Sequence, residues 1–109
     1  MKHWYLAGPM RGIEDYNFPA FDFAAEKLRE EGYTVFSPAD NDRETDNQGP
    51  TFDIRRALRD DTSWMCRHAD AVALLPGWEN SKGAKAEIAL AEALGLTVVI
   101  LGKEYTDGE

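Results

Sequence analysis

Apolar residues along this chain fall in short runs separated by amphipathic stretches. Residues 3–7 (HWYLA), 33–37 (YTVFS), 70–75 (DAVALL) and 97–101 (TVVIL) have the length and the β-branched or aromatic content of strands. Between the first two, Phe18, Phe21, Ala25 and Leu28 recur on one helical face. Asn17 is placed to cap that helix, Pro19 fits its first turn, and Gly32 is placed to end it. Residues 38–50 (PADNDRETDNQGP) are polar with Gly and Pro, and read as a mobile excursion. A second helix is expected from a Thr51 cap to about His68, and a third from Ser81 or Lys82 to Leu94, closed by Gly95. The last eight residues read as a frayed tail. Strand alternating with helix is the signature of parallel crossovers. The expected fold is therefore a single three-layer α/β domain over residues 1–109, flavodoxin- or Rossmann-like. Its sheet is mostly parallel, with four to five strands and helices on both faces. Strands three and four are nearly all apolar, as strands covered on both sides are.

An open parallel sheet binds ligands beyond the carboxyl ends of its strands. That singles out Gly8–Asn17, Ser37–Asp40 and Pro76–Gly83. Two acids near these loops fall on the apolar sides of their helices. In the second helix, Ile54, Leu58 and Met65 form an apolar stripe, and Asp61 lies in it, three after Leu58 and four before Met65. Its neighbour Asp60 lines up with Asp53, Arg56 and Arg67 on the polar side and reads as solvated. In the third helix, Lys82, Lys85, Ala89 and Glu92 form the polar side. At about 100° per residue, Glu87 groups instead with Gly83, Leu90, Ala91 and Leu94. An inward acid costs several kcal/mol unless it is paired, neutral or facing a wet cleft. A structural ion pair, for example with Arg11, is one explanation; a functional site fits two such acids on consecutive helices better. An ionised Glu87 in a half-dry cleft suits an oxocarbenium-like transition state, as nucleophile or charge stabiliser. Asp61 is then the proton donor to the leaving group.

Composition narrows the choice of partners. The chain has 109 residues, 43% apolar, which is enough for one core and excludes wholesale disorder. Twelve Lys and Arg against 20 Asp and Glu give a net charge of −8, which argues against a nucleic-acid polymer as partner. A small phosphate remains possible, since a few backbone amides and one Arg suffice to hold it. One cysteine, Cys66, makes no internal disulfide, and neither it nor His68 has the spaced partners of a nucleophilic or zinc site. The opening MKHWYLAGPM is too short in apolar residues for a secretory leader, and no run approaches a membrane span. A cytoplasmic protein without a membrane partner is expected.

Gly8-Pro9-Met10-Arg11-Gly12 offers close backbone approach and one guanidinium, and Ser81 offers a hydroxyl at a helix N-terminus. Ser81 is alternatively only a helix cap. Together they suggest a phosphate or ribose cradle. Trp78 either stacks on a base or covers the sheet edge.

These residues resemble the nucleoside 2-deoxyribosyltransferase-like superfamily, and most of all a short branch with a GPM-x-G start and an LLPGW-x-x-S-x-GA-x-x-E segment. The matching pieces are Tyr5 to Gly12, Ala69 to Val72, and Leu74 to Glu87 with the helix and strand that follow. The resemblance implies that Glu87, four after Gly83, is the nucleophile or equivalent essential acid, and that Asp61 assists proton transfer at the base. It implies that Tyr5 orients the glutamate or contacts the sugar. Ser81 stands where the nucleoside 5′-monophosphate N-glycosidases carry a phosphate-binding serine and the transferases an aspartate. A hydroxyl can donate to a phosphate that a carboxylate would repel. Gly8, Pro9, Met10, Arg11, Gly12 and Gly83 complete the implied phosphate site, with Pro9 in place of a serine of those hydrolases. Trp78 and Asn17 are assigned to the base pocket. The expected activity is hydrolysis of the N-glycosidic bond of a (deoxy)nucleoside 5′-monophosphate, with no metal and no organic cofactor. Base exchange by 2-deoxyribosyl transfer and non-catalytic nucleotide binding are the alternatives. The resemblance also implies a homo-oligomer, a dimer or larger.

Overall fold

A computed structural model describes residues 2–106. Its strands are β1 (His3–Ala7), β2 (Thr34–Phe36), β3 (Ala71–Leu74) and β4 (Thr97–Ile100). Its helices are α1 (Phe18–Glu30), α2 (Pro38–Glu44), α3 (Ile54–His68) and α4 (Lys82–Leu94). All strand pairs are parallel, in the order β2-β1-β3-β4. The expected α/β class, single domain and parallel sheet are what the chain adopts.

The two central strands carry the core on both sides. Trp4, Leu6, Ala71 and Ala73 face a cluster that includes Phe21, Ala24, Ala25 and Leu28 of α1. Tyr5, Ala7, Val72 and Leu74 point the other way, onto Met65 of α3 and Ala84 and Ala91 of α4. The period-two alternation of a strand thus divides one apolar run between two helix layers. Each Leu, Phe or Met sealed in this way contributes about 1.5–3 kcal/mol. Gly32 and Gly95 end α1 and α4 with φ of 98° and 75°, where a Cβ would be strained. In both, the next residue's N–H turns back to a carbonyl of the last turn, Tyr33 to Leu28 and Leu96 to Ala91.

Several expectations are corrected. Residues 38–44 of the supposed mobile excursion form helix α2. It lacks an apolar stripe but has Pro38 in its first turn and Asp40 beside the positive end of its dipole. Arg43 fastens it, donating to Asp22 and Asp40 at 2.7 Å each. The following turn is pinned by Asn47, which donates to the Asp53 carbonyl and accepts from the Asp53 N–H at 2.9 and 2.7 Å. Thr51 lies in a short 3₁₀ turn, and the cap of α3 is Asp53, which accepts from the N–H groups of Arg55 and Arg56. Asn17 precedes α1 but does not cap it; its amide donates to the Pro9 carbonyl at 2.8 Å and ties down the loop after β1. Asp60 is not freely solvated: it accepts from Asn41 of α2 and from Arg59. β4 is not covered on both faces, because it is the sheet edge, and Ile100 there is 67% exposed. Leu94, expected inward, is exposed as well. Of the supposed tail, residues 103–105 form a 3₁₀ turn whose Tyr105 hydroxyl donates to Glu31; residues 107–109 lie outside the described residues. No helix among the described residues is long and apolar enough to cross a membrane.

Candidate active site

The strand order reverses direction between β1 and β3, so the loops leaving those two strands diverge and leave a crevice at their carboxyl ends. A cavity of about 490 Å³ lies there. Gly8 to Arg11 line it from the loop after β1, Asn80 to Ala84 from the start of α4, and Ala57, Leu58 and Asp61 from α3. Glu87 of α4 and Asp42 of α2 complete its acidic wall.

The helical-face argument places both acids correctly. Asp61 is 5% and Glu87 6% exposed, and both open onto this one cavity. Neither is locked to an arginine, since none of the ion pairs among the described residues includes them. Glu87 instead accepts a 2.6 Å hydrogen bond from the hydroxyl of Tyr5, a residue fully buried in β1. That contact spans 82 positions of sequence and ties the carboxylate to a central strand. Burial pushes the Glu87 carboxyl up to about 7, against the opposing pull of the Tyr5 hydrogen bond. Burial, then the charge of Glu87, pushes Asp61 up to about 8. The Tyr5 hydroxyl is itself raised well above 10 by burial and by the two acids beside it. At neutral pH, then, Asp61 holds its proton while Glu87 is divided between its two forms. Two carboxyl groups in one crevice, both raised by burial and Asp61 further by the charge of Glu87, are the kind of arrangement found where acid and base roles are divided.

The cradle residues meet at the same cavity. Gly8, Pro9, Met10, Arg11, Ser81 and Gly83 line it, and Gly12 lines an adjoining cavity of about 310 Å³. Gly8 is required by packing: a Cβ there would stand 2.8 Å from that of Leu75. Gly83 is not, because a Cβ would meet only the Ser81 hydroxyl, at 3.9 Å. A glycine in a helix costs about 1 kcal/mol relative to alanine. Here it leaves open space beside the free N–H groups of the first turn of α4, where an anion is favoured. Ser81 caps α4 by accepting from the Ala84 N–H at 3.1 Å. Its own proton remains available to a ligand, so capping and binding are compatible.

Two expected base-pocket residues lie elsewhere. Trp78 packs against the core cluster around Tyr5 and Met65 and does not line the cavity. Asn17 is engaged with Pro9 and lines neither cavity. The aromatic lining is supplied by Phe21 and by Phe52, over which the Arg11 guanidinium stacks at 4.8 Å from the ring centre. Asp42 was missed because it belongs to the stretch without apolar periodicity, where Pro38 followed by Asp40 was the signal that a helix begins. Phe52 was missed because the expected second helix takes it in, whereas α3 starts only at Ile54. Lys82, expected on the solvent side, also lines the cavity and adds a second cation to the cradle. Cys66 and His68 are exposed and lie outside the site. No group of three His, Cys, Asp or Glu side chains among the described residues converges as metal ligands.

The chain belongs to the DUF4406 family, described as a domain of unknown function, whose model matches residues 2–100. No curated protein and no solved structure matches it.

Proposed function

We propose that this protein hydrolyses the N-glycosidic bond of a (deoxy)nucleoside 5′-monophosphate, releasing the free base and the sugar 5-phosphate. The observation that carries the reading is the pair Glu87 and Asp61: both buried, without a cationic partner, on the wall of one cavity beside an anion cradle. In this reading the phosphate sits at the start of α4, against the Lys82 and Gly83 N–H groups, the Ser81 hydroxyl and Arg11. The sugar lies over Glu87, whose ionised oxygen attacks C1′ as the bond to the base breaks. Asp61 gives its proton to the departing nitrogen, which spares the base from leaving as an anion. Water then attacks C1′ of the glycosyl ester, the carboxylate of Asp61 takes the water's proton, and Glu87 departs unprotonated. Tyr5 holds the attacking carboxylate in place and, through its hydrogen bond, favours the ionised form.

Raised affinities support the division of labour: an acid near 8 is a proton donor at neutral pH, and one near 7 supplies a carboxylate. A cytoplasmic setting and a homo-oligomer belong to the same reading. The uncharged β4 edge, with Val98 and Ile100 exposed, supports the second; a single-chain mass in sedimentation removes it. The decisive assay is release of free base from a panel of nucleoside and deoxynucleoside monophosphates, followed by chromatography, with and without a second free base. Turnover is expected with water alone and is expected to vanish in Glu87→Gln. Release undiminished in that variant overturns the mechanism, and an exchanged nucleotide in place of free sugar phosphate replaces hydrolysis by transfer.

A further inference from the structure

The mechanism leaves one buried acid unused. Asp42 is 3% exposed, lies on α2, and lines both the main cavity and the adjoining one. Its Oδ1 is buried without any hydrogen-bond partner, and no ion pair among the described residues includes it. A carboxyl oxygen left this way costs about 1–3 kcal/mol. Burial, then the charge of Asp60, raises its carboxyl to about 6, so at neutral pH it is mostly an ionised, acceptor-only group.

The adjoining slot is lined in part by aromatic side chains, which can bury the faces of a heterocycle. Phe18, Phe52 and Tyr16 line it together with Gly12 and the Gln48–Pro50 turn. Met10, Arg11, Asp42 and Phe52 are shared with the main cavity, so the two adjoin. Asp61 lines the main cavity together with Asp42 and Glu87, so the proposed proton donor shares a wall with both acids. We propose that the slot holds the heterocyclic base and that Asp42 selects a base presenting two adjacent N–H donors, a ring N–H beside an exocyclic amine, as guanine does. A carboxylate offers two acceptors side by side and pairs with that edge through two parallel hydrogen bonds. Adenine and cytosine present a ring acceptor beside their amine, which faces an ionised carboxyl unfavourably. Hypoxanthine keeps the ring N–H and lacks the amine. The inference rests on the proposed function for the identity of the ligand, but it concerns recognition rather than bond cleavage.

The test therefore reads binding apart from turnover. Calorimetric affinities for dGMP, dIMP, dAMP, dCMP and dTMP are measured on the full chain carrying Glu87→Gln, and repeated with Asp42→Asn added. A bidentate pair discriminates by about 5- to 150-fold, so dGMP should bind at least about fivefold tighter than dIMP or dAMP, and Asp42→Asn should level the series. Equal affinities across the series, or a dGMP preference that survives Asp42→Asn, overturns the assignment even if every nucleotide releases its base in the unaltered protein. A guanine preference with no Glu87-dependent release leaves Asp42 in its role and removes the glycosidase instead. Should Asp42→Asn not fold, the dGMP-to-dIMP ratio with Asp42 in place still decides: a ratio near one refutes the assignment.

Discussion

Glu87→Gln is expected to stabilise the protein above neutral pH while abolishing base release. In the unfolded chain this carboxyl loses its proton near 4.5, whereas in the folded protein burial delays the loss to about 7. Between those two values the unfolded chain sheds a proton that the native state retains, so unfolding is increasingly favoured as pH rises. The stability associated with this group is complete below its unfolded value and has been lost once pH has passed the folded value. A gap of roughly 2.5 in pH, at about 1.4 kcal/mol for each, amounts to about 3 kcal/mol. Glutamine is close in volume, carries no charge, and still accepts the Tyr5 proton through its amide oxygen, so the substitution removes the cost without opening a hole. It also removes a charge that raises Asp61, which acts in the same direction. Urea unfolding of both proteins from pH 5 to pH 9 measures the effect. The variant's advantage should be under about 1 kcal/mol at pH 5 and grow to about 3 kcal/mol by pH 8.5, a midpoint shift of about 1 M or more. The net charge of −8 adds a general loss of stability with pH, but it is nearly common to both proteins and cancels in the comparison. Parallel pH curves, or a variant less stable at pH 8.5, refute the premise that a dry carboxylate sits in this crevice.

Activity should follow a narrow bell in kcat/KM, rising as Glu87 ionises near 7 and falling as Asp61 loses its proton near 8. The two limbs belong to the pair rather than to either residue alone, and a rate flat from pH 5 to pH 9 contradicts the assignment. Ser81→Ala should raise KM for nucleoside monophosphates well beyond its effect on the corresponding nucleosides. It should also cost about 1 kcal/mol in stability through loss of the Ala84 cap. Equal effects on both substrate classes reduce Ser81 to a cap.

Side-chain periodicity made the most specific part of the site legible. Asp61 and Glu87 sit where three- and four-residue spacings put them, because α3 and α4 are long enough for 3.6-residue geometry to divide inward from outward positions. The same spacing could not reveal Tyr5 as Glu87's partner, since their contact depends on β1 and α4 being brought together by the sheet. Position within the sheet was equally hidden: TVVIL reads as a covered strand, yet its place at the edge leaves Ile100 exposed. α2 escaped because five polar residues behind Pro38 and Ala39 give no apolar face to read. Its order comes from Arg43 reaching Asp22 of α1 and from the Asn47 clasp on Asp53. These are pairings between polar groups distant enough in sequence to leave no local pattern. Trp78 was misjudged for a related reason: a tryptophan beside a predicted ligand loop can serve either core or cavity, and here the core cluster around Tyr5 claims it.

Three carboxyl groups buried on one cavity wall are a burden to the fold that packing alone does not require. Asp42, Asp61 and Glu87 each have their proton affinity raised by burial, and each is thereby more expensive to keep ionised than a solvated acid. Had these positions served only as structure, apolar residues of similar size would fill the crevice at lower cost. The surroundings do not relieve that cost. Asp42 and Asp61 each retain a buried oxygen without a partner, and the cavity's cations, Arg11 and Lys82, are ion-paired with none of the three. A ligand that enters the cavity can supply that relief. A ligand with an anionic end for the α4 terminus and N–H donors at its other end would satisfy these groups in turn along one line from α4 through α3 to α2. A nucleotide has that distribution of charge and donors, and a phosphosugar without a base has only half of it. Stabilisation of the folded protein by dGMP but not by deoxyribose 5-phosphate, read as a rise in Tm that Asp42→Asn diminishes, would separate the two. Equal protection by both would mean that only the phosphate cradle is occupied, and that the acids of α2 and α3 answer to some other need.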